Sequence, residues 1–174
     1  MEVKQLIETL GLLPHPEGGY YKETYRSSEQ STFAGFEGER NYCTGIYFLI
    51  EKNNFSALHR IKSDEMWHFY GGDPLRLILL YPDGSNRDVI LGNEPLKGQL
   101  VQFVIPAGVW QAGHCIEGGR YSLFGCTLAP GFTDDIFTGG TQAELLKLYP
   151  EREKDILEYG LAGGETSTPE GFAS

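Results

Sequence analysis

Residues 55–72 read FSALHRIKSDEMWHFYGG, and this stretch predicts the fold more strongly than any other part of the chain. Two runs of β-forming residues, 55–61 and 65–70, are separated by a short polar segment that is typical of a turn. Because side chains alternate along a strand, His59 and Glu65 each share a face with apolar residues two positions away. We therefore expect a hairpin that brings His59 and Glu65 together at one apolar cavity, with this stretch as a wall of a small-molecule pocket.

The pair formed by His59 and Glu65 supports three interpretations. Histidine and carboxylate ligands hold divalent metals, and the same pair performs acid–base catalysis when its surroundings adjust the two pKa values. A plain hydrogen bond that closes the hairpin explains the pattern equally well. Trp67 continues the Glu65 face, where it either stacks on a planar ligand or packs as a core aromatic. The residues alone leave these alternatives open.

Short runs of β-forming residues recur along the rest of the chain, with turn sequences between them. The further runs lie at 20–27, 42–50, 75–81, 87–91, 99–105 and 121–128. Residues 28–40 are polar and contain glycine, which predicts a loop. Closely spaced short strands joined by tight turns indicate an antiparallel sandwich or barrel.

Helical patterns occur at both ends of the chain. Residues 2–10 place apolar side chains at helical spacing, and a glycine follows as a stop. Thr141 precedes Glu144 by three positions, which is the capping-box pattern of a helix start. Pro150 is suited to open a second short helix. The sequence thus predicts an all-β domain with short N- and C-terminal helices.

The composition excludes two classes of partner. The chain has 174 residues, a formal net charge of −10 and a sequence pI of about 4.8. Such a surface repels nucleic acid and anionic membranes. No apolar run approaches the ~18 residues that a bilayer-spanning helix needs. We therefore expect no nucleic-acid partner and no membrane partner.

Chain length and cysteine usage bear on domain organisation and compartment. At this length we expect a single domain over residues 1–160, and residues 161–174, which have little to bury, are expected to form a flexible tail. The three cysteines are an odd number without a CxxC pair. The apolar stretch at the N-terminus is too short and too often interrupted by polar residues for a signal peptide. These features predict a cytoplasmic protein with free thiols.

Two motifs in the chain resemble those of the cupin superfamily. The first is a histidine followed at set intervals by a glutamate and a glycine, and it is matched by His59, Glu65 and Gly72. The second contains Pro-x-Gly, matched by Pro106 and Gly108. More specifically, the chain is similar to the DUF985 (Cupin_5) branch. The stretches that carry this likeness are PHPEGGYYKETYRS (14–27), IYFLI (46–50), FSALHRIKSDEMWHFYGG (55–72), VQFVIPAGVWQ (101–111) and YSLFGCTLAPGF (121–132).

The resemblance implies a double-stranded β-helix, the cupin jelly-roll barrel, as a homodimer with a pocket inside the barrel. It implies no established reaction. The Glu17-Gly18-Gly19 loop falls in a signature region of the family, and its glycines allow backbone conformations closed to other residues. It is not a phosphate loop, since no helix start or lysine follows at the required spacing.

Several residues depart from the cupin metal motifs. Ile61 stands where a second metal-binding histidine is expected, and Gln111 stands where the histidine of the second motif is expected. Neither His68 nor His114 replaces a missing ligand. The side chain of His68 is expected on the opposite face of its strand from Glu65, and His114 lies three residues past the position of the motif histidine. We therefore predict no firmly held cofactor.

At most, a divalent metal binds weakly to His59, Glu65 and Gln111, because an amide is a weak third ligand.

The predicted pocket combines polar and aromatic side chains. Gln102 interrupts an apolar run. Its amide either binds a ligand at the mouth of the barrel or makes a hydrogen bond within the protein interior. One of Tyr20 and Tyr21 is expected to face the barrel. The candidate ligand-binding residues are His59, Glu65, Trp67, Gln102, Gln111, Tyr21 and Tyr47.

Three functions compete on this evidence, and whether the chain is an enzyme stays open. The first is binding of a small molecule in the barrel. The second is a metal-independent epimerase or isomerase for a carbohydrate or sugar nucleotide. The resemblance to cupin-type sugar epimerases implies His59 as general base and one of Tyr20, Tyr21 or Tyr47 as acid, and Glu65 is a further catalytic candidate. The third, a metal-dependent oxygenase, has the least support because metal ligands are missing.

Overall fold

The fold is described by a computed structural model, which covers residues 2–169 and Phe172. Three α-helices flank the strands: α1 (Glu2–Leu10), α2 (Gln142–Leu148) and α3 (Glu153–Tyr159). The strands are β1 (Leu13–Pro14), β2 (Tyr20–Arg26), β3 (Gln30–Thr32), β4 (Glu39–Asn41), β5 (Thr44–Glu51), β6 (Phe55–Ile61), β7 (Asp64–Gly72), β8 (Leu75–Leu80), β9 (Asn86–Leu91), β10 (Gln102–Ile105), β11 (Trp110–Cys115), β12 (Tyr121–Ala129) and β13 (Phe137–Gly139). Short 3-10 helices span Pro95–Lys97, Asp134–Ile136 and Pro150–Arg152.

Two antiparallel sheets face each other to form the barrel. The six-stranded sheet has the order β1-β2-β5-β12-β7-β10, and the five-stranded sheet has the order β13-β6-β11-β8-β9. Inward side chains of both sheets form the core, in which Phe48, Leu77 and Phe124 are at most 5% exposed. The predicted all-β fold with short terminal helices is confirmed.

The predicted hairpin of residues 55–72 is wrong in one respect. β6 pairs with β11 and β13, whereas β7 pairs with β10 and β12. The two strands therefore belong to different sheets, and the chain crosses from one sheet to the other between them. The predicted alternation still holds, so His59 and Glu65 face the barrel interior from opposite sheets rather than from neighbouring strands.

The expected loop at 28–40 contains a two-stranded hairpin, in which β3 pairs with β4. The guanidinium of Arg40 on β4 donates to both oxygens of the Asp135 carboxylate, at 2.7 and 2.8 Å. It also donates to the hydroxyl of Thr133 at 2.6 Å. Because these partners lie more than 90 residues away in sequence, local propensity gave no sign of the hairpin.

The helices cover the outer faces of the two sheets. α1 packs its apolar side chains against Leu49 and Tyr121 of the six-stranded sheet. α2 begins at the predicted cap, where the hydroxyl of Thr141 accepts a hydrogen bond from the backbone N–H of Glu144 at 3.3 Å. Together α2 and α3 cover the outer face of the five-stranded sheet around Trp110. Within the described chain, no helix is long and apolar enough to cross a membrane.

The segment after residue 160 returns to the barrel. The backbone N–H of Gly139 donates to the carbonyl of Thr166 at 2.6 Å, and Thr168 is buried. The ring of Phe172 lies 5.1 Å from the ring of Tyr21. The flexibility expected for residues 161–174 stays a prediction, and 170, 171, 173 and 174 lie outside the described residues.

Candidate small-molecule site

A cavity opens inside the barrel between the two sheets. Its volume is about 70 Å³, which is room for roughly five waters or one small ring. The walls are largely aromatic and aliphatic. The polar side chains that line it are His15, Tyr21, Glu23, Thr44, Ser56, His59, Glu65 and Thr168.

The structure brings most of the predicted site residues together. His59, Glu65, Trp67 and Tyr21 all line the cavity. Gln111 lies beside it, where its Nε2 donates to Oε2 of Glu65 at 2.6 Å. His59 and Glu65 therefore line one cavity, although no hydrogen bond among the described residues joins the two.

Two predicted site residues lie outside the cavity. Gln102 is exposed on the outer face of the six-stranded sheet, where its amide contacts the sulfur of Met66. The alternation of β10 turns Phe103 inward and Gln102 outward, so the placement of Gln102 in the pocket is wrong. Tyr47 also points outward, with its ring 6.0 Å from that of Tyr70, because its two neighbours on β5 face the core.

Of the two adjacent tyrosines, only Tyr21 reaches the cavity. Tyr20 packs under α1 on the outer face. Burial, and secondarily the carboxylate of Glu23, raise the pKa of Tyr21. The Tyr21 phenol therefore stays protonated at neutral pH and is suited to donate a hydrogen bond.

His59 has its imidazole orientation fixed by its own strand. The ring Nδ1 lies 2.8 Å from the carbonyl oxygen of Ala57, and a carbonyl only accepts, so Nδ1 carries a proton. In the neutral ring, Nε2 is then an acceptor. The ring also stacks on Phe137, at 5.1 Å between centroids and 17° between planes. His59 thus presents a basic nitrogen in a fixed orientation.

His15 is a site residue that the sequence analysis missed. It lies in the loop before β2, and its ring packs against Tyr21 and Phe48, each at 5.0 Å between centroids, and against Phe172 at 5.3 Å. A histidine between two prolines has no periodic pattern to indicate its side. The signal available was its place in the signature stretch 14–27.

The protonation of His15 is also determined by its surroundings. Burial, and secondarily the nearby His59, lower the pKa of His15 to about 3, so the ring is neutral at pH 7. Its Nδ1 accepts a hydrogen bond from the backbone N–H of Glu17 at 3.0 Å. The proton of the neutral ring therefore lies on Nε2, which makes His15 a hydrogen-bond donor.

The loop that carries His15 approaches β6 very closely. The backbone N–H of Ala57 donates to the carbonyl of Glu17 at 3.1 Å. Gly18 has a φ of +103°, and a Cβ there would lie 2.1 Å from the carbonyl oxygen of Phe55. Only glycine fits this approach. The two glycines that the sequence analysis noted therefore position His15 over the cavity.

Acidic groups with raised pKa values lie near the site. Burial raises the pKa of Glu17, an effect that the charge of His59 opposes, and Glu17 Oε2 has no hydrogen-bond partner among the described residues. Burial and the neighbouring Glu65 raise the pKa of the Cys126 thiol well above its usual value. Cys126 is therefore a protonated thiol beside Glu65.

The cupin fold implies a divalent metal in this region of the barrel, and the residues present do not fit one. Ile61 lines the cavity with an aliphatic side chain, and Gln111 turns its amide N–H group rather than its oxygen toward Glu65. In the described part of the chain, no three His, Cys, Asp or Glu side chains are grouped to hold a metal ion. His59 and Glu65 alone fall short of the three protein ligands typical of catalytic metal sites.

Acid is expected to destabilise this protein through His15. The pKa of His15 is about 3 in the folded chain and 6.5 ordinarily, so the unfolded chain takes up this proton first and stability is lost as pH falls from 6.5 toward 3. Between pH 7 and pH 4, wild type should lose about 2–3 kcal/mol more unfolding free energy than His15→Gln. Urea unfolding at each pH measures the difference.

The raised pKa of Glu17 acts in the opposite sense, because stability from that group is lost as pH rises. Glu17 is common to both proteins, so its effect cancels in the comparison. Equal pH dependence in wild type and His15→Gln would show that His15 is accessible to protons in the folded state.

Two facing antiparallel sheets that enclose His59 and Glu65 of the first motif are the architecture of a cupin barrel. The chain belongs to the Cupin_5 family of the cupin superfamily (DUF985), whose model matches residues 4–138.

Three relatives support this assignment. The chain is similar to a hypothetical protein from Leishmania major, at 35% identity, 91% coverage of this chain, 98% coverage of that chain and a TM-score of 0.85. It is similar to protein SO0799 from Shewanella oneidensis, at 32% identity, 90% and 96% coverage and a TM-score of 0.81. The uncharacterized protein YML079W of Saccharomyces cerevisiae is 27% identical over an alignment of 168 residues, gaps included, that covers 88% of this chain and 84% of that protein. These likenesses establish family and fold, and leave the function to be argued from the site.

Proposed function

We propose that this protein binds a small uncharged organic molecule inside the barrel. The observation that carries the proposal is the convergence of His15, His59 and Glu65 on one largely apolar cavity. A few convergent polar groups in an apolar cavity are the usual composition of a ligand site. The groups also retain hydrogen-bonding capacity, since His59 uses only Nδ1 within its own strand.

The charge of the lining supports an uncharged ligand. Among the described residues that line the cavity, two are glutamates and none is lysine or arginine. An anion such as a sugar nucleotide would enter without a compensating cation, at a substantial desolvation cost. The electrostatics therefore favour neutral molecules over phosphorylated ones.

A thermal-shift comparison tests the proposal. Neutral ring compounds at about 100 times their Kd should stabilise the fold by about 2.7 kcal/mol, whereas carboxylated or phosphorylated versions of the same rings should not. His59→Ala should abolish the stabilisation and keep the native circular dichroism spectrum. The matched control is His68→Ala, because His68 lies on the outer face and contacts Thr127.

Stabilisation that is equal in wild type and His59→Ala would place binding outside the barrel and contradict the proposal. Unfolding of His59→Ala without ligand would instead assign His59 a structural role, through its hydrogen bond to Ala57.

A metal-independent isomerase is the second candidate, and the placement of Tyr21 favours it. Tyr21 and His59 line the same cavity, so a protonated phenol and a basic imidazole nitrogen are available to one ligand. A neutral hydroxy-ketone such as dihydroxyacetone should then exchange carbon-bound hydrogen with solvent deuterium. Tyr21→Phe should slow this exchange about 100-fold, and Tyr20→Phe, its matched control, should not.

We also infer a homodimer formed through the outer face of the six-stranded sheet. Tyr25, Tyr70 and Val104 are 56%, 54% and 43% exposed on that face, and an exposed apolar sheet face is a common site of association.

The three free cysteines support the cytoplasmic location that the sequence predicts.

A further inference from the structure

Of the two histidines that line the cavity, one presents a hydrogen-bond donor and the other an acceptor. In each ring a backbone group bonded to Nδ1 determines which role Nε2 takes. Nδ1 of His15 accepts from the N–H of Glu17, which leaves Nε2–H as a donor. Nδ1 of His59 faces the carbonyl of Ala57, which leaves Nε2 of the neutral ring as an acceptor. A ligand therefore meets one donor, from His15, and one acceptor, from the neutral ring of His59.

The donor and the acceptor are held near each other. Ala57 connects the two sides, because its N–H donates to the carbonyl of Glu17 while its own carbonyl bonds His59. Both rings line the same cavity of about 70 Å³. One small ligand is therefore able to reach both.

The aromatic side chains that line the rest of the cavity determine which shape of ligand fits. Trp67, Phe48 and Phe132 are among the aromatic side chains of the wall, and Trp67 is held by stacking on Phe124 at 4.6 Å. Apolar aromatic walls suit a flat ring rather than a hydrated sugar chain.

We propose that the cavity recognises an uncharged planar ring that carries a carbonyl next to an N–H or O–H group, as in a lactam. The carbonyl accepts from Nε2–H of His15, and the adjacent N–H or O–H donates to Nε2 of His59. This inference rests on the proposed function and specifies its ligand class.

Three ring compounds of similar size separate the contributions of the carbonyl, the N–H group and the ring itself to binding. 2-Pyridone has the carbonyl and the N–H, 2-pyrone has the carbonyl and a ring oxygen in place of the N–H, and fluorobenzene has neither. Binding is followed by NMR titration of the Trp67 indole resonance, with that of Trp110, which lies in the core under α2 and α3, as internal reference.

In wild type we expect 2-pyridone to bind about 10-fold more tightly than 2-pyrone, because 2-pyrone leaves a buried acceptor unpaired. His59→Leu should remove this preference. His15→Leu should lower the affinity for 2-pyridone and for 2-pyrone by about the same factor, so that the preference for 2-pyridone stays. His68→Leu, the control on the outer face, should change none of the affinities.

The outcomes separate this inference from the proposed function. Equal affinity for 2-pyridone and 2-pyrone in wild type, or a preference that survives in His59→Leu, overturns the donor–acceptor inference. In that case, binding of fluorobenzene that shifts the Trp67 resonance leaves the proposed function standing. If none of the three compounds binds, both the inference and the proposed function fail.

Discussion

Gly18→Ala is expected to lower the free energy of unfolding by about 3–5 kcal/mol, in the range of severe backbone and packing defects. The new Cβ would lie 2.1 Å from the backbone carbonyl oxygen of Phe55, and the hydrogen bond from the N–H of Ala57 to the carbonyl of Glu17 holds the two segments together. The φ of +103° adds strain for any residue with a side chain. Urea denaturation monitored by circular dichroism measures the loss.

Gly35→Ala provides the matched control. Gly35 has a φ of +85°, but no atom lies within 4 Å of a Cβ built there. Its replacement should therefore cost only about 1–2 kcal/mol of left-handed backbone strain. The difference between the two variants isolates the close approach of the His15 loop to β6. Similar losses in both variants would mean that this loop does not pack on β6 as described.

Gln111→Leu is expected to cost about 2–4 kcal/mol, because it leaves the buried Glu65 without the amide that donates to it at 2.6 Å. Glu65 and Gln111 are 5% and 1% exposed, so bulk solvent has little access to the broken bond. Replacing both residues by leucine should recover part of the loss, since no charge is then left buried without a partner.

Gln102→Leu is the matched control for Gln111→Leu. Gln102 is exposed on the outer face of the same barrel, so its replacement should change stability by no more than about 0.5 kcal/mol. Chemical denaturation of the single variants and the double variant completes the cycle. A loss in Gln111→Leu no larger than in Gln102→Leu would show that Glu65 is protonated or hydrated in the folded protein.

Much of the architecture was predictable because it depends on local pattern. The strands at 55–61 and 75–81, the capped helix after Thr141 and the inward parity of Glu65 and Trp67 all follow from alternation and turn chemistry. The hairpin around Arg40 was missed because the contacts that hold it, to Asp135 and Thr133, join distant parts of the chain.

The site was predictable only in part. Strand parity identified His59, Glu65 and Trp67, and the same rule applied to β10 would have placed Gln102 outside, since Phe103 and Ile105 carry the apolar face. Parity does not apply to loops, so His15 and Phe172 could not be found in this way. Their positions depend on where the loop and the C-terminal segment return to the barrel.

Residue order alone was sufficient to predict an all-β barrel from strand and turn patterns. Through the resemblance to cupin motifs it also indicated the family and the loss of the usual metal ligands at Ile61 and Gln111. The three-dimensional arrangement was needed to learn that His59 and Glu65 face each other from different sheets. It was also needed to place a neutral donor, His15, beside a basic acceptor, His59. The physical reason is that a histidine's tautomer and burial depend on hydrogen bonds to backbone groups, and the folded chain positions those groups.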